Sequence, residues 1–165
     1  EPLVRSTMEK AKRLGLKVAL DLSNFNIVNG FKPLLQELIP RYVDILFSNE
    51  SEANAYTGLP AEEAVLELAK QVEVAIVTIG KRGSLVAAAG QRYAIPAEGG
   101  KPIDTTGAGD NFAAGFLYGQ SVGASCAQSA QIGSTLSGYV IDVVGPQIPD
   151  AKWPEIQEKV KAILK

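Results

Sequence analysis

Three short apolar runs, at residues 16–22 (LKVALDL), 42–47 (YVDILF) and 73–79 (EVAIVTI), are separated by stretches of helical length and pattern. An unbroken apolar run marks a strand buried on both faces, which calls for helices on both sides of the sheet. Strand, helix, strand, helix, strand therefore predicts an α/β fold with a mainly parallel sheet. Pro2 suits a first helical turn, and Val4, Met8, Ala11 and Leu14 recur at helical spacing before Gly15 ends the helix. Asn29-Gly30 is expected to break the chain ahead of an amphipathic segment at 31–38 that ends near Pro40. A short helix follows the polar residues 48–52 and stops at Gly58; Pro60 starts another, with Val65, Leu68, Ala69 and Val72 on one face. Segments 84–89 and 92–96 read as an antiparallel hairpin around Gly90-Gln91. Beyond a glycine-rich stretch at 98–109, helices are expected at 112–119, 124–141 and 153–164, the last turning Ile156, Val160, Ile163 and Leu164 inward. With no repeat, low-complexity tract or linker, residues 1–165 read as a single α/β unit.

Composition removes several chemistries. The chain has no histidine, which excludes Ser-His-Asp, Cys-His and His-metal sites, so acid–base work falls to carboxylates, Lys or Tyr. One cysteine, Cys126, allows no internal disulfide and reads as a small buried helix residue. Sixteen basic against eighteen acidic residues give a net charge of −2, and the only dense basic spots are 10–13 and Lys81-Arg82. Neither tracks phosphates, so no nucleic-acid partner is expected. No apolar run nears 18 residues and no signal peptide is evident, so the expectation is a cytoplasmic protein without a membrane partner.

Chemistry concentrates at 104–117, DTTGAGDNFAAGFL. Gly107, Ala108 and Gly109 stand just before an apolar helix, where small side chains leave backbone N–H groups free and the helix dipole favours anions. Asp110 then puts a carboxylate on the first turn. A carboxylate beside a phosphate pocket is repelled by plain phosphate. It is useful where a hydroxyl between them gives up its proton while attacking phosphorus. A first-turn Asp that only caps its helix is the simpler reading of the same residues.

The whole run resembles the C-terminal signature of PfkB-type carbohydrate and nucleoside kinases. The resemblance implies a three-layer αβα ribokinase-like fold with a mainly parallel sheet, of which this chain would be the C-terminal portion. It implies Asp110 as the base for the acceptor hydroxyl and the amides of Gly107, Ala108 and Gly109 as the anion hole. Asp104 falls in a loop associated with a monovalent cation such as K+. Asn49-Glu-Ser-Glu52 is similar to the N-x-x-E motif, which acts through water on Mg2+ and the phosphates of ATP; the same pair equally fits a helix cap. The segment from Thr78 through Gly80 to Gly83 is similar to the strand end lining the nucleotide pocket, though Gly80 also fits a plain turn. Gly145 falls in the loop that closes near adenine and the cation. Ala127, Ala130, Ser134, Ser137 and Gly138 make a small-residue face for nucleotide or, equally, for close backbone packing; Gly115 and Gly119 fit the same packing on the preceding helix.

Two rival motifs fail locally. Phe112 stands where a dinucleotide fingerprint needs its third glycine, and Gly80-Lys-Arg-Gly lacks the Ser/Thr of a Walker loop. A non-catalytic nucleotide-binding or interaction module of the same fold is the remaining alternative. Family members run to about twice this length, so the resemblance places the lid and most acceptor contacts outside these residues. The isolated chain is then expected to be inactive and to carry an unpaired sheet edge open to self-association as a homo-oligomer. The acceptor reads as a sugar or nucleoside hydroxyl, residues 20–58 being more similar to adenosine-kinase-like members.

Overall fold

The computed structural model describes residues 1–99 and 102–165; residues 100 and 101, part of the expected glycine-rich stretch, lie outside the described residues. The chain divides into two compact units, Glu1–Ile79 with Leu85–Arg92, and Gly80–Ser84 with Tyr93–Lys165. The strands of its sheet are ordered β1 (Ala19–Asp21), β2 (Ile45–Asn49), β3 (Val74–Thr78), β4 (Ser84–Ala88) and β5 (Gln91–Ile95).

In the first unit β1 pairs parallel with β2, and β2 parallel with β3. The register sets Leu46 against Ala75 and Ser48 against Val77 on one face, and Ile45 against Val74 and Phe47 against Ile76 on the other. Both sets are buried, which is why these segments read as continuous apolar runs. Leu46, Ala75 and Val77 share a core with Val28, Leu38, Ile39, Val65 and Leu68. Each fully buried aliphatic side chain there contributes about 1.5–3 kcal/mol. Helices α2 (Phe25–Tyr42) and α4 (Ala61–Leu68) supply those residues, and α1 (Pro2–Arg13) and α3 (Glu50–Thr57) add Met8, Ala53 and Tyr56 to the same core. Arg5 of α1 forks onto Glu37 of α2, its Nη2 2.9 Å from Oε2.

Two expectations need correcting. The break expected at Asn29-Gly30 is present but falls one residue later: Asn24 caps a helical segment that begins at Phe25, and a kink at Phe31 joins it to a second segment that continues to Tyr42. Phe31 (φ −121°, ψ 18°) lies two residues before Pro33, whose missing N–H and ring displace the preceding turn. The second strand begins at Ile45 rather than Tyr42 and runs on through Ser48 and Asn49, whose polar side chains hid them from a hydrophobicity reading. The hairpin forms with its turn one residue earlier than expected, at Ala89 (φ 50°) and Gly90 (φ 76°) rather than Gly90-Gln91, these being the two left-handed residues that a tight β-turn requires.

The second unit contains α5 (Ala108–Ser121), α6 (Cys126–Val140) and α7 (Trp153–Ile163). Ser125 and Gln128 form a capping box that starts α6. Ile132, Leu136 and Val140 of α6 pack with Ile148, Ile156 and Val160. Ile163 and Leu164 are only partly buried against that cluster. Helices α5 and α6 meet through glycine: a Cβ on Gly115 would lie 2.9 Å from the Gly133 Cα, and one on Gly133 would lie 2.7 Å from the Phe112 carbonyl oxygen. No helix among the described residues is long and apolar enough to cross a membrane.

Candidate functional site

Ligands of open parallel sheets gather at the carboxyl ends of the strands, and two predicted residues meet there. Asn49 ends β2 and Thr78 ends β3, and they are register partners. Asn49 is also the N-cap of α3: its side-chain oxygen accepts from the Glu52 N–H at 3.0 Å and from Ser51 Oγ at 2.7 Å. In return the Glu52 carboxylate accepts from the Asn49 N–H at 2.8 Å and from its Nδ2 at 2.5 Å. Glu52 is only 3% exposed. Burial pushes its carboxyl above the usual range, the negative charge of Asp21 adds to this, and the Asn49 hydrogen bonds pull the other way. The capping role is therefore realised in full. Each Glu52 oxygen keeps one lone pair beyond its Asn49 bond.

In the second unit the turn before α5 gathers Asp104, Gly107, Asp110 and Gly145. Gly107 is the N-cap in a left-handed conformation (φ 77°, ψ 3°), and no side chain caps the helix. Of the three expected anion-hole amides, that of Ala108 is taken, donating to the Thr105 carbonyl at 3.2 Å. The N–H groups of Gly107, Gly109 and Asp110 have no partner among the described residues. Asp110 lies in the first turn and is exposed, with no hydrogen bond or ion pair to any described residue. Asp104 accepts three hydrogen bonds: Oδ1 accepts from the Thr106 N–H and Oγ1 at 2.9 and 2.7 Å, and Oδ2 accepts from the Gly145 N–H at 2.9 Å. These donors, the Thr106 hydroxyl foremost, hold its carboxyl below the usual range.

A family model for pfkB family carbohydrate kinases matches residues 4–153. The chain belongs to the pfkB family. Its relatives include an adenosine kinase of Schizophyllum commune, 33% identical over 92% of this chain and 50% of that protein. Among solved structures, an adenosine kinase from Sinorhizobium meliloti superposes with a TM-score of 0.87 at 31% identity, over 95% of this chain and 49% of that one. A ribokinase of Arabidopsis thaliana, solved with ribose and ATP, gives a TM-score of 0.74 at 26% identity, over 96% and 50%. The chain thus spans about half the length of these relatives. The α/β, ribokinase-like fold expected from the sequence is borne out, as is the likeness to adenosine kinases.

In this pfkB chain the remaining predicted residues have local structural reasons. Gly80 (φ 56°) opens a 3₁₀ turn, Gly80–Arg82, with open space around it. Gly83 is packed: a Cβ would sit 1.9 Å from the Ile95 carbonyl oxygen. Ser137 is half-buried on α6. The small face of α6 receives another backbone, because a Cβ on Gly138 would meet the Glu98 oxygen at 2.6 Å. Ser134, on the same face, accepts from the Glu98 N–H at 3.0 Å and donates to the Pro96 carbonyl at 2.8 Å. Two contacts with Gly107 went unread in the sequence. Pro146 abuts Gly107, where a Cβ would lie 2.7 Å from the proline Cβ, and Asn111 bonds both residues. Adjacency of Asn111 to Asp110 was the only signal available.

Proposed function

We propose that the chain carries the catalytic and nucleotide-binding residues of an ATP-dependent phosphotransferase acting on an alcohol group of a sugar or nucleoside. The observation that carries this reading is the exposed, unpartnered Asp110 on the first turn of an uncapped helix whose leading amides are also unpartnered. A carboxylate there would repel an anion unless a hydroxyl lay between them. In this reading Asp110 takes the acceptor proton as the hydroxyl oxygen attacks the terminal phosphorus. The amides of Gly107, Gly109 and Asp110 receive the phosphoryl oxygens, Ala108 being committed to Thr105. The pfkB match across 4–153 and the kinase relatives support it.

Thr78, Gly80, Gly83, Ser137 and Gly145 are assigned to ATP contacts, Gly83 through the shape it gives the strand end. Asn49 and Glu52 are assigned to Mg2+ through water, each Glu52 oxygen keeping one lone pair for a water beyond its bond from Asn49. Mg2+ typically keeps several waters and binds largely to substrate phosphates, where it neutralises developing charge. Asp104 joins the loops that would flank a monovalent cation, its Oδ1 accepting twice from Thr106 and its Oδ2 keeping one lone pair beyond the Gly145 N–H.

Acceptor contacts are assigned to residues beyond these 165, consistent with a chain that covers half of its relatives. In a protein supplying them, Asp110→Asn lowers kcat by about 10²-fold or more with ATP affinity little changed. The 165-residue chain alone, given ATP with adenosine, ribose or fructose, gives no turnover. Unaltered kcat in the variant removes Asp110 from the mechanism, and robust turnover by the isolated chain refutes the division of roles.

A further inference from the structure

Asn111 is the fourth residue of α5, a position from which a carboxamide ordinarily reaches water. Here its Nδ2 donates to the Gly107 carbonyl at 2.9 Å and to the Pro146 carbonyl at 3.3 Å. Both partners only accept, so the amide orientation is determined: nitrogen must face them. The Gly107 carbonyl also receives the Asn111 backbone N–H at 2.9 Å, which fills both of its lone pairs. The 145–146 segment reached by Asn111 is held from the other side by Asp104, through the Gly145 N–H.

We propose that Asn111 is a positioning residue for the anion-binding turn. Its carboxamide ties the Gly107 peptide to Pro146 and so keeps the start of α5 in the form that leaves the Gly107, Gly109 and Asp110 amides open. This rests on the anion-binding reading of the same turn. The physical need is specific to this helix: its N-cap is a glycine, with the largest conformational freedom of any residue, and no side chain caps it. A turn left mobile would have to be ordered when the anion arrives, which weakens binding. Asn111 supplies the missing restraint from inside the helix. With the Gly107 carbonyl pinned, the 107–108 peptide plane is fixed and the Ala108 N–H is directed at Thr105. Asn111 touches no reacting atom; it acts through the turn.

The test uses the ¹⁵N-labelled 165-residue chain titrated with inorganic tripolyphosphate, without metal. In the wild type the amide signals of Gly107, Gly109 and Asp110 shift saturably, and the Asn111 side-chain amide protons exchange slowly with water. Asn111→Leu, uncharged and similar in shape, raises the tripolyphosphate Kd about fivefold or more, since one bound amide is worth about 1 kcal/mol. Its melting temperature stays within about 2 °C of wild type, because no buried partner is stranded. Wild-type shifts with an unchanged Kd in the variant overturn the positioning role and leave the anion site standing. Fast exchange of the wild-type side-chain amide overturns it too, even if the variant fails to fold. No shift in the wild type overturns the anion site itself, and this inference with it.

Discussion

Gly107 and Gly109 are two residues apart and make opposite demands. Gly107 holds φ at 77° and has no room for a Cβ beside Pro146; Gly109 has an ordinary φ and nothing within 4 Å of where a Cβ would stand. Gly107→Ala should therefore cost about 2 kcal/mol or more, from left-handed strain plus the clash. Gly109→Ala should leave stability unchanged or raise it by about 0.5 kcal/mol, because the unfolded chain loses freedom at no native cost. Urea unfolding of the two variants checks this, and equal destabilisation would contradict the geometry. Asp110 and the glycines before it were legible in the sequence because their chemistry is local. The commitment of Ala108 to Thr105 and the part played by Pro146 were not, since both depend on how the turn closes and on a residue 39 positions further along.

Among the elements, α3 has the most fully specified start. Asn49 and Glu52 each satisfy an orphan donor of the other, and the Glu52 carboxylate accepts two hydrogen bonds that an amide cannot both replace. Glu52→Gln sets an NH₂ group against a donor and should cost about 1 kcal/mol, read from the denaturation midpoint at pH 7. The sign with pH is also determined. Burial first, then Asp21, raises the folded-state pKa of Glu52, so its contribution is complete below the unfolded value and declines as pH rises through the folded one. The advantage of wild type over the variant should be larger at pH 4 than at pH 7. Element types were readable where pattern and punctuation agreed, as at α1, α3 and α4. The boundary was less legible where a proline kinks a helix, as in α2, whose first segment from Phe25 went unread and whose break falls at Phe31 rather than at Asn29-Gly30.

At the scale of the whole molecule, stability in acid depends on Asp44. It is 4% exposed, accepts from Lys12 Nζ at 2.6 Å and from the Val18 N–H at 2.7 Å, and lies 3.6 Å from Lys17 Nζ. Burial alone would raise its carboxyl, but those donors and charges outweigh it and hold it below the usual range. A depressed folded value means stability that is present above the unfolded pKa, about 3.9, and lost as pH falls through the folded one. Asp44→Asn should cost about 2 kcal/mol at pH 7, chiefly from weakening the bond to the Val18 N–H and losing the lysine pairing. It should also flatten the fall in melting temperature below pH 4; a parallel fall in both proteins would show that other carboxylates dominate. The parallel α/β plan was legible because three apolar runs alternate with helices, whereas Asp44, inside one of those runs, gave no sign of its partners.

The side-by-side placement of Asn49 and Thr78 depends on the alignment of two neighbouring strands. A slip of a single residue between them would turn every side chain of one strand to the opposite face, separating Asn49 from Thr78 and taking the buried residues of that strand out of their places in the core. Spectra of secondary structure would look unchanged after such an error, but stability would register it. The packing that holds β2 against β3 thus also guards the placement of the two polar residues at their ends.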